Sequence, residues 1–421
     1  MVNMQSQPSP PSAAPRTAMH EREFVVLMGM TQALQALALD IMLPALGAIS
    51  RDLGVQSENQ RQLVIGIFLI GSALGSLIPG PLADRFGRRR VLLCYLAAYV
   101  VQSAACALVG HLPTLLVLRF TLGLASAGLI VLPSAIIRDR VSGDRMARLQ
   151  SMVTMVFMVV PMLAPSLGQL ILMVAGWRWI FGVIAVLGTV VAVWAALRLP
   201  ETLRPEFRRP FDPVNIGRAL SAVVTHRMAI GYVFGFALMQ AALFGWLNSS
   251  QQLVAEHFGA GQRFPVIFGC MAVTMASTNF LNARIVMRFG ARAVSHWALL
   301  AYIAVSLLQL GLALSGHESL WSFVPVMALS MCLMGFVSAN FASIALQPFA
   351  RNAGAAASAQ VFVRMAISSV LGAVIGAAYD GTALPLASAY VIAGTSVLAL
   401  VMISEKGRLF HAKVEAAVPV A

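Results

Sequence analysis

Residues 80–90 read Gly80-Pro81-Leu82-Ala83-Asp84-Arg85-Phe86-Gly87-Arg88-Arg89-Arg90, a cluster of charge between apolar runs at 62–82 and 91–110. An α-helix of about 20 apolar residues crosses the hydrocarbon of a bilayer, so each run has the length of one crossing. The same alternation continues outward in both directions. Twelve apolar stretches result, at 24–49, 62–82, 91–110, 112–137, 147–173, 178–197, 228–256, 264–287, 293–315, 319–347, 353–379 and 385–404. The chain is therefore expected to be an all-α membrane protein with twelve transmembrane helices.

Composition supports this. Of 421 residues 59% are hydrophobic and 11% are charged, against about 25% charged in soluble domains. A soluble enzyme, a disordered chain and a disulfide scaffold are excluded on that ground. Cys94, Cys106, Cys270 and Cys332 all lie in apolar stretches without the paired spacing of a metal site, so they read as small hydrophobes. The seven histidines lie near span ends or in loops, and no metal or cofactor site is expected. Nor is an enzyme: no complete P-loop and no nucleophile–base–acid set can be assembled.

The net charge of +13 does not call for a nucleic acid. All but six of the 29 basic residues fall in the tails and the loops of one side. Arg51, Arg61, Arg178 and Arg263 lie on the other side, and Arg119 and Arg364 lie within spans. The excess of Arg and Lys on cytoplasmic loops puts both termini in the cytoplasm. Residues 1–23, with Pro8, Pro10, Pro11 and Pro15, read as a disordered tail rather than a signal peptide, and 405–421 as a second tail. The polar stretch 198–227 divides 24–197 from 228–404, six spans on each side. Met287-Arg288-Phe289-Gly290-Ala291-Arg292 faintly echoes the opening motif, with Met287 where the first half has Asp84. Duplicated halves with a central site are a known transporter plan.

The motif at 80–90 resembles the loop signature of the major facilitator superfamily. Asp40-Ile41-Met42-Leu43-Pro44-Ala45-Leu46 resembles the first-span segment of its Bcr/CflA-like drug:proton antiporters, with Met42 in place of an aromatic residue. Arg119 with Gly123 resembles their fourth-span arginine. Pro161-Met162-Leu163-Ala164-Pro165-Ser166-Leu167-Gly168 resembles the fifth-span antiporter motif, with Gln169 replacing a glycine. Trp177-Arg178-Trp179-Ile180-Phe181 is similar to the opening of the sixth span. The resemblance implies two pseudo-symmetric six-helix bundles rocking about a central cavity. It also implies export of drug-like molecules against inward proton flow in a bacterial inner membrane, with a proton gradient as the only energy source. A monomer is expected. A carrier of one metabolite, an organic anion or a sugar, remains an alternative, and a non-transporting receptor a more distant one.

Of 16 acids, Asp40 alone lies deep in a span. A carboxylate there is costly, which makes Asp40 the candidate proton carrier. Pro44 frees the carbonyl of Asp40 and permits a bend. Arg119 falls at the same depth and is the second proton-coupling candidate, since a cation moving toward or away from Asp40 would shift its pKa; the alternative is an arginine held by backbone carbonyls. Asp84, with Gly80, Arg85, Gly87, Arg88 and Arg89, is expected to form a latch, pairing Asp84 with Arg138, Arg140 or a helix start. Pro161, Pro165 and Gly168 are expected to bend the fifth span. Gly71, Gly75, Gly372 and Gly376 are spaced for close helix approach. Gln32, Gln35, Gln240, Trp246, Asn248, Asn340 and Arg364 are candidates for the cavity wall. Arg364 adds a second buried cation against one buried acid, costing about 2.5–3.5 kcal/mol if unrelieved. It either faces the cavity, where it would shape substrate choice, or anchors its helix.

Overall fold

The computed structural model describes residues 19–54, 60, 62–141, 143–203, 206, 208, 213–316 and 318–410. The proline-rich stretch before residue 19, the chain after residue 410 and Arg61 lie outside the described residues. In chain order the helices are α1 (Glu21–Asp40), α2 (Leu46–Asp52), α3 (Leu63–Gly75), α4 (Pro79–Phe86), α5 (Arg88–Ala107), α6 (Leu112–Arg140), α7 (Gly143–Val174) and α8 (Arg178–Arg198). There follow α9 (Pro213–Thr225), α10 (Arg227–Gln251), α11 (Phe264–Phe289), α12 (Ala291–Leu314), α13 (Leu320–Leu346), α14 (Ala353–Ala377) and α15 (Leu384–Ser404). No strand occurs among the described residues. Ten helical segments are long and apolar enough to cross a membrane, α1 and α2 counting as one, and the bent pair α3–α4 supplies an eleventh. The 26-residue α11 occupies the remaining apolar stretch.

Three breaks depart from uniform rods, and each has a cause in the sequence. The first span divides at Asp40: α1 ends there, a 3₁₀ turn covers Leu43–Ala45 with Pro44 in its first turn, and α2 follows. Proline has no N–H to continue the ladder. The second span bends by 43° between α3 and α4, where Pro79 opens the new helix. That helix runs on to Phe86, so Asp84 and Arg85 sit on a helix rather than in the expected loop. Gly87 alone turns the chain into α5, at φ 101° and ψ 145°, a left-handed conformation that glycine adopts without steric cost. Gly290 makes the matching turn between α11 and α12 at φ 80° and ψ 151°.

In the fifth span, helix α7 runs from Gly143 to Val174 and includes positions 161 and 165. Each proline withdraws one donor, while packing of α7 against α1 and α11 holds the flanking turns. Gly168 allows close approach, because a Cβ there would collide with the Ile41 carbonyl at the first-span break. The long polar linker also carries structure: α9 lies within it and packs on α14.

Packing is dense within each half. In the first half α3 lies on α6, α1 on α7 and α5 on α8; in the second, α10 lies on α14 and α15 and α12 on α13. The closest approaches use glycine as expected. A Cβ on Gly71 would meet the Phe120 carbonyl, and one on Gly376 would come 2.6 Å from the Asn248 Cβ. Two helix pairs, α3 with α14 and α7 with α11, join the halves.

Candidate functional site

A cavity of about 420 Å³ lies between the halves, walled by α1, α3, α6, α7, α10, α11, α13 and α14. Its surface is mostly apolar, with Leu39, Phe157, Phe268 and Met271 among the lining side chains. The polar groups are few: Gln35, Asp40, Ser72, Ser76, Gln240, Arg364 and the indole of Trp246. This is the composition of a small-molecule site, where apolar area binds and a few polar atoms orient.

The first-span break delivers Asp40 to this wall. Its carboxylate is buried, and Oδ1 has no hydrogen-bond partner. Arg119 lies nearby on α6, fully buried, but forms no ion pair with it. The guanidinium instead donates from Nη1 to the Ala38 carbonyl at 3.0 Å and from Nε to the Val64 carbonyl at 3.1 Å. It also lies 4.3 Å from the Phe68 ring centroid, and its Nη2 has no partner. Ala38 is in the last turn of α1, whose final carbonyls lack backbone donors. Arg119 thus ties α1 to α3 across the break, two residues from Asp40.

Arg364 faces Asp40's cavity from α14. Its Nη1 donates to Gln240 Oε1 at 2.8 Å, and its Cζ lies 4.4 Å from the Phe236 ring centroid. Gln35 donates to the Ser72 hydroxyl at 3.1 Å. Three other candidates lie off the cavity. Gln32 reaches the Ile130 carbonyl at 3.4 Å. Asn248 donates to the carbonyls of Phe244 and Gly372 at the α10–α14 contact, at 2.8 and 3.3 Å. Asn340 exchanges hydrogen bonds with Asn282 between α13 and α11, at 3.0 and 3.4 Å. Polarity within a span marked all three, but helix rotation turns them into helix–helix contacts.

The start of α1, the residues just past α8 and the Asp84 motif share one end of the molecule, where Glu23 pairs with Arg198 at 2.8 Å. Here Asp84 meets Arg88 at 2.6 Å, not Arg138 or Arg140. Arg88 in turn meets Asp139 of α6 at 2.8 Å. Glu201, just past α8, accepts the backbone N–H groups of Arg88 and Arg89 at 2.8 and 3.3 Å and so caps the start of α5. A Cβ on Gly87 would stand 2.5 Å from Glu201 Oε2. Arg89 donates to the Ala196 carbonyl at 2.5 Å. Arg85 and Arg140 stack on Phe86 and Phe24, at 5.0 and 4.3 Å from Cζ to ring centroid, while Arg138 is exposed. Gly80 has open space where a Cβ would stand. In the second half Glu405, just past α15, meets Arg292 at 2.9 Å and accepts from Tyr232 at 2.6 Å. Sequence reading missed Glu201, Asp139 and Glu405; the available signal was a glutamate just beyond the last span of each half.

The opposite end is drawn together. Gln62 donates to Gln252, Ser369 donates to the Leu69 carbonyl at 3.1 Å, and a Cβ on Gly66 would lie 3.1 Å from that of Ala373. The Ser369 contact is made at the cavity-lining Leu69, and those of Gln62 and Gly66 lie beyond it along α3. The cavity is stoppered at that end.

Two six-span halves about a cavity stoppered at one end define a helical multi-pass membrane transporter. Residues 28–377 match the family described as Major Facilitator Superfamily, and the chain belongs to that family. It is 28% identical over 371 residues to the "Bicyclomycin resistance protein homolog" of Haemophilus influenzae, covering 86% of this chain and 91% of that one. It is 28% identical over 348 residues to the "Multidrug resistance protein MdtL" of Klebsiella pneumoniae, covering 80% and 85%. The fold is also that of the xylose transporter XylE of E. coli in a partially occluded inward open conformation. The TM-score is 0.66 at 14% identity, over 92% of this chain and 97% of that one.

Proposed function

We propose that the protein exports small amphiphilic, drug-like molecules across a bacterial cytoplasmic membrane in exchange for protons. It does so by alternating access, as a monomer with both termini in the cytoplasm. The observation that carries the reading is Asp40: a buried carboxylate without a partner for Oδ1, at a helix break, on the wall of the cavity. Such a group can take a proton from one side and release it to the other, because no cation is ion-paired with it. Arg119 is a positioning residue, holding the α1 break against α3. The names of the multidrug and bicyclomycin relatives support the substrate class.

In this reading the stoppered end is the outer one, and the state described faces inward. The Asp84–Arg88–Asp139 chain and the Glu201 cap, all within the first half, then hold the inner corner of that half together while the cavity is open to the cytoplasm. The test uses inverted vesicles with an imposed, acid-inside pH gradient. Adding an exported compound should discharge the gradient, and a broad panel of amphiphiles that leaves it unchanged would overturn the reading. Collapse with one sugar or organic acid alone would instead favour a dedicated metabolite carrier.

A further inference from the structure

We propose that Arg364 and Gln240 form a subsite for uncharged aromatic amphiphiles bearing a strong acceptor oxygen, such as a ketone or sulfonyl group. The proposal rests on the reading of the cavity as the substrate site. A guanidinium carries five N–H donors. In Arg364 one nitrogen is used, on Gln240 Oε1 at 2.8 Å, and no other hydrogen bond reaches the group. Phe236 covers one face of it at 4.4 Å from Cζ to ring centroid. No carboxylate pairs with it, although it lines the same cavity as Asp40. The arrangement is a fixed cation, oriented by an amide and an aromatic ring, with unused donors at an apolar wall.

Charge decides which ligand these donors suit. With Asp40 ionised, the cavity holds one negative and one positive group and is neutral overall. A lipophilic cation would meet an immobile guanidinium in a low-dielectric space, which is repulsive. An anion would satisfy Arg364, but it would also hold the proton on Asp40, coupling the two in the wrong sense for exchange. A neutral molecule with an acceptor oxygen satisfies the donors and leaves Asp40 free to titrate. Its aromatic body can cover Phe268, Met271 and Trp246, which share the wall.

The test is equilibrium binding to the purified protein in nanodiscs, corrected for partition into empty discs. Four matched probes are used: 2-acetylnaphthalene, 2-ethylnaphthalene, 2-naphthoate and 2-naphthylmethylammonium. The ketone should bind tightest. Arg364→Leu should weaken ketone binding by about tenfold or more, the size expected for a hydrogen bond to a charged donor. It should leave 2-ethylnaphthalene within about twofold, which also shows that the cavity is still formed, and should strengthen the ammonium probe. Arg364→Lys should recover part of the ketone preference. Equal losses for ketone and hydrocarbon, tightest binding of the ammonium or the naphthoate, or no binding of the ketone would each overturn the subsite. Ketone binding that depends on Arg364 without any drug-driven proton movement would sink the proton-coupled reading and leave the subsite standing. Proton movement driven by compounds whose binding ignores Arg364 would do the reverse.

Discussion

Asp40 and Arg119 sit at one helix break and do different work. The carboxylate is left without a partner on Oδ1, whereas the guanidinium spends its donors on two backbone carbonyls. A firm Asp40–Arg119 pair would hold the acid ionised and block exchange, so the anchoring of Arg119 away from Asp40 suits a proton carrier. Arg119→Lys should therefore fail, because one ammonium cannot span the Ala38 and Val64 carbonyls in the same planar geometry. The expected result is a lower melting temperature of the purified protein and loss of transport; unchanged values for both would remove the anchoring role. Gly168 gives a sharper case. Its Cα lies against the Ile41 carbonyl, so Gly168→Ala should cost about 1–3 kcal/mol of stability through overpacking. Thermal unfolding of the purified variant checks it, and a melting temperature equal to wild type would mean the break can shift away. Asp40 was legible in the sequence because a lone acid deep in an apolar run is conspicuous. The fates of Gln32, Asn248 and Asn340 were not, since sequence gives depth along a helix but only loosely its rotation about its axis.

At the scale of elements, the α4–Gly87–α5 corner is held by charged contacts within the first half. Asp84 and Arg88 are one helical turn apart on either side of a single glycine, and Arg88 extends the link to Asp139 of α6. Glu201 adds a cap from beyond α8. Asp84→Asn and Glu201→Gln should each slow the conformational cycle while leaving substrate affinity intact, because neither side chain lines the cavity. Equilibrium binding measured beside transport decides this. A collapse of affinity with an unaltered conformational equilibrium would contradict it. The sequence showed the corner as a charged motif but placed it in a loop. Gly87 needs only one residue to turn the chain, so both flanking helices extend further into the motif than apolar runs alone suggest. Glu201 lay in a linker whose polarity hid its contact with a motif more than a hundred residues earlier.

For the whole molecule, the two halves touch mainly through α3 with α14 and α7 with α11, and the α3–α14 contacts lie on one side of the cavity. In the proposed alternating-access cycle, rocking would separate these contacts to open that end. In a Gly66→Cys/Ala373→Cys variant the Cβ atoms would start 3.1 Å apart, and a shift of a few tenths of an ångström brings them to the roughly 3.5–4.5 Å of a disulfide. Oxidation should cross-link it and stop transport, and a reductant should restore activity. A cross-linked protein that still transports would mean the α3–α14 contact does not open. The apolar helices and their order were readable because apolar length is a strong, additive signal. Which helices meet across the centre was not readable, since that depends on tilt and shape complementarity over many weak contacts. The account turns on a proton exchanged at Asp40, and the most direct measurement compares wild type with Asp40→Asn in proteoliposomes. Gradient-driven, uphill movement of a drug should be abolished in the variant while downhill exchange of the same drug persists. Uphill transport at the wild-type rate by a well-inserted Asp40→Asn protein would contradict the account.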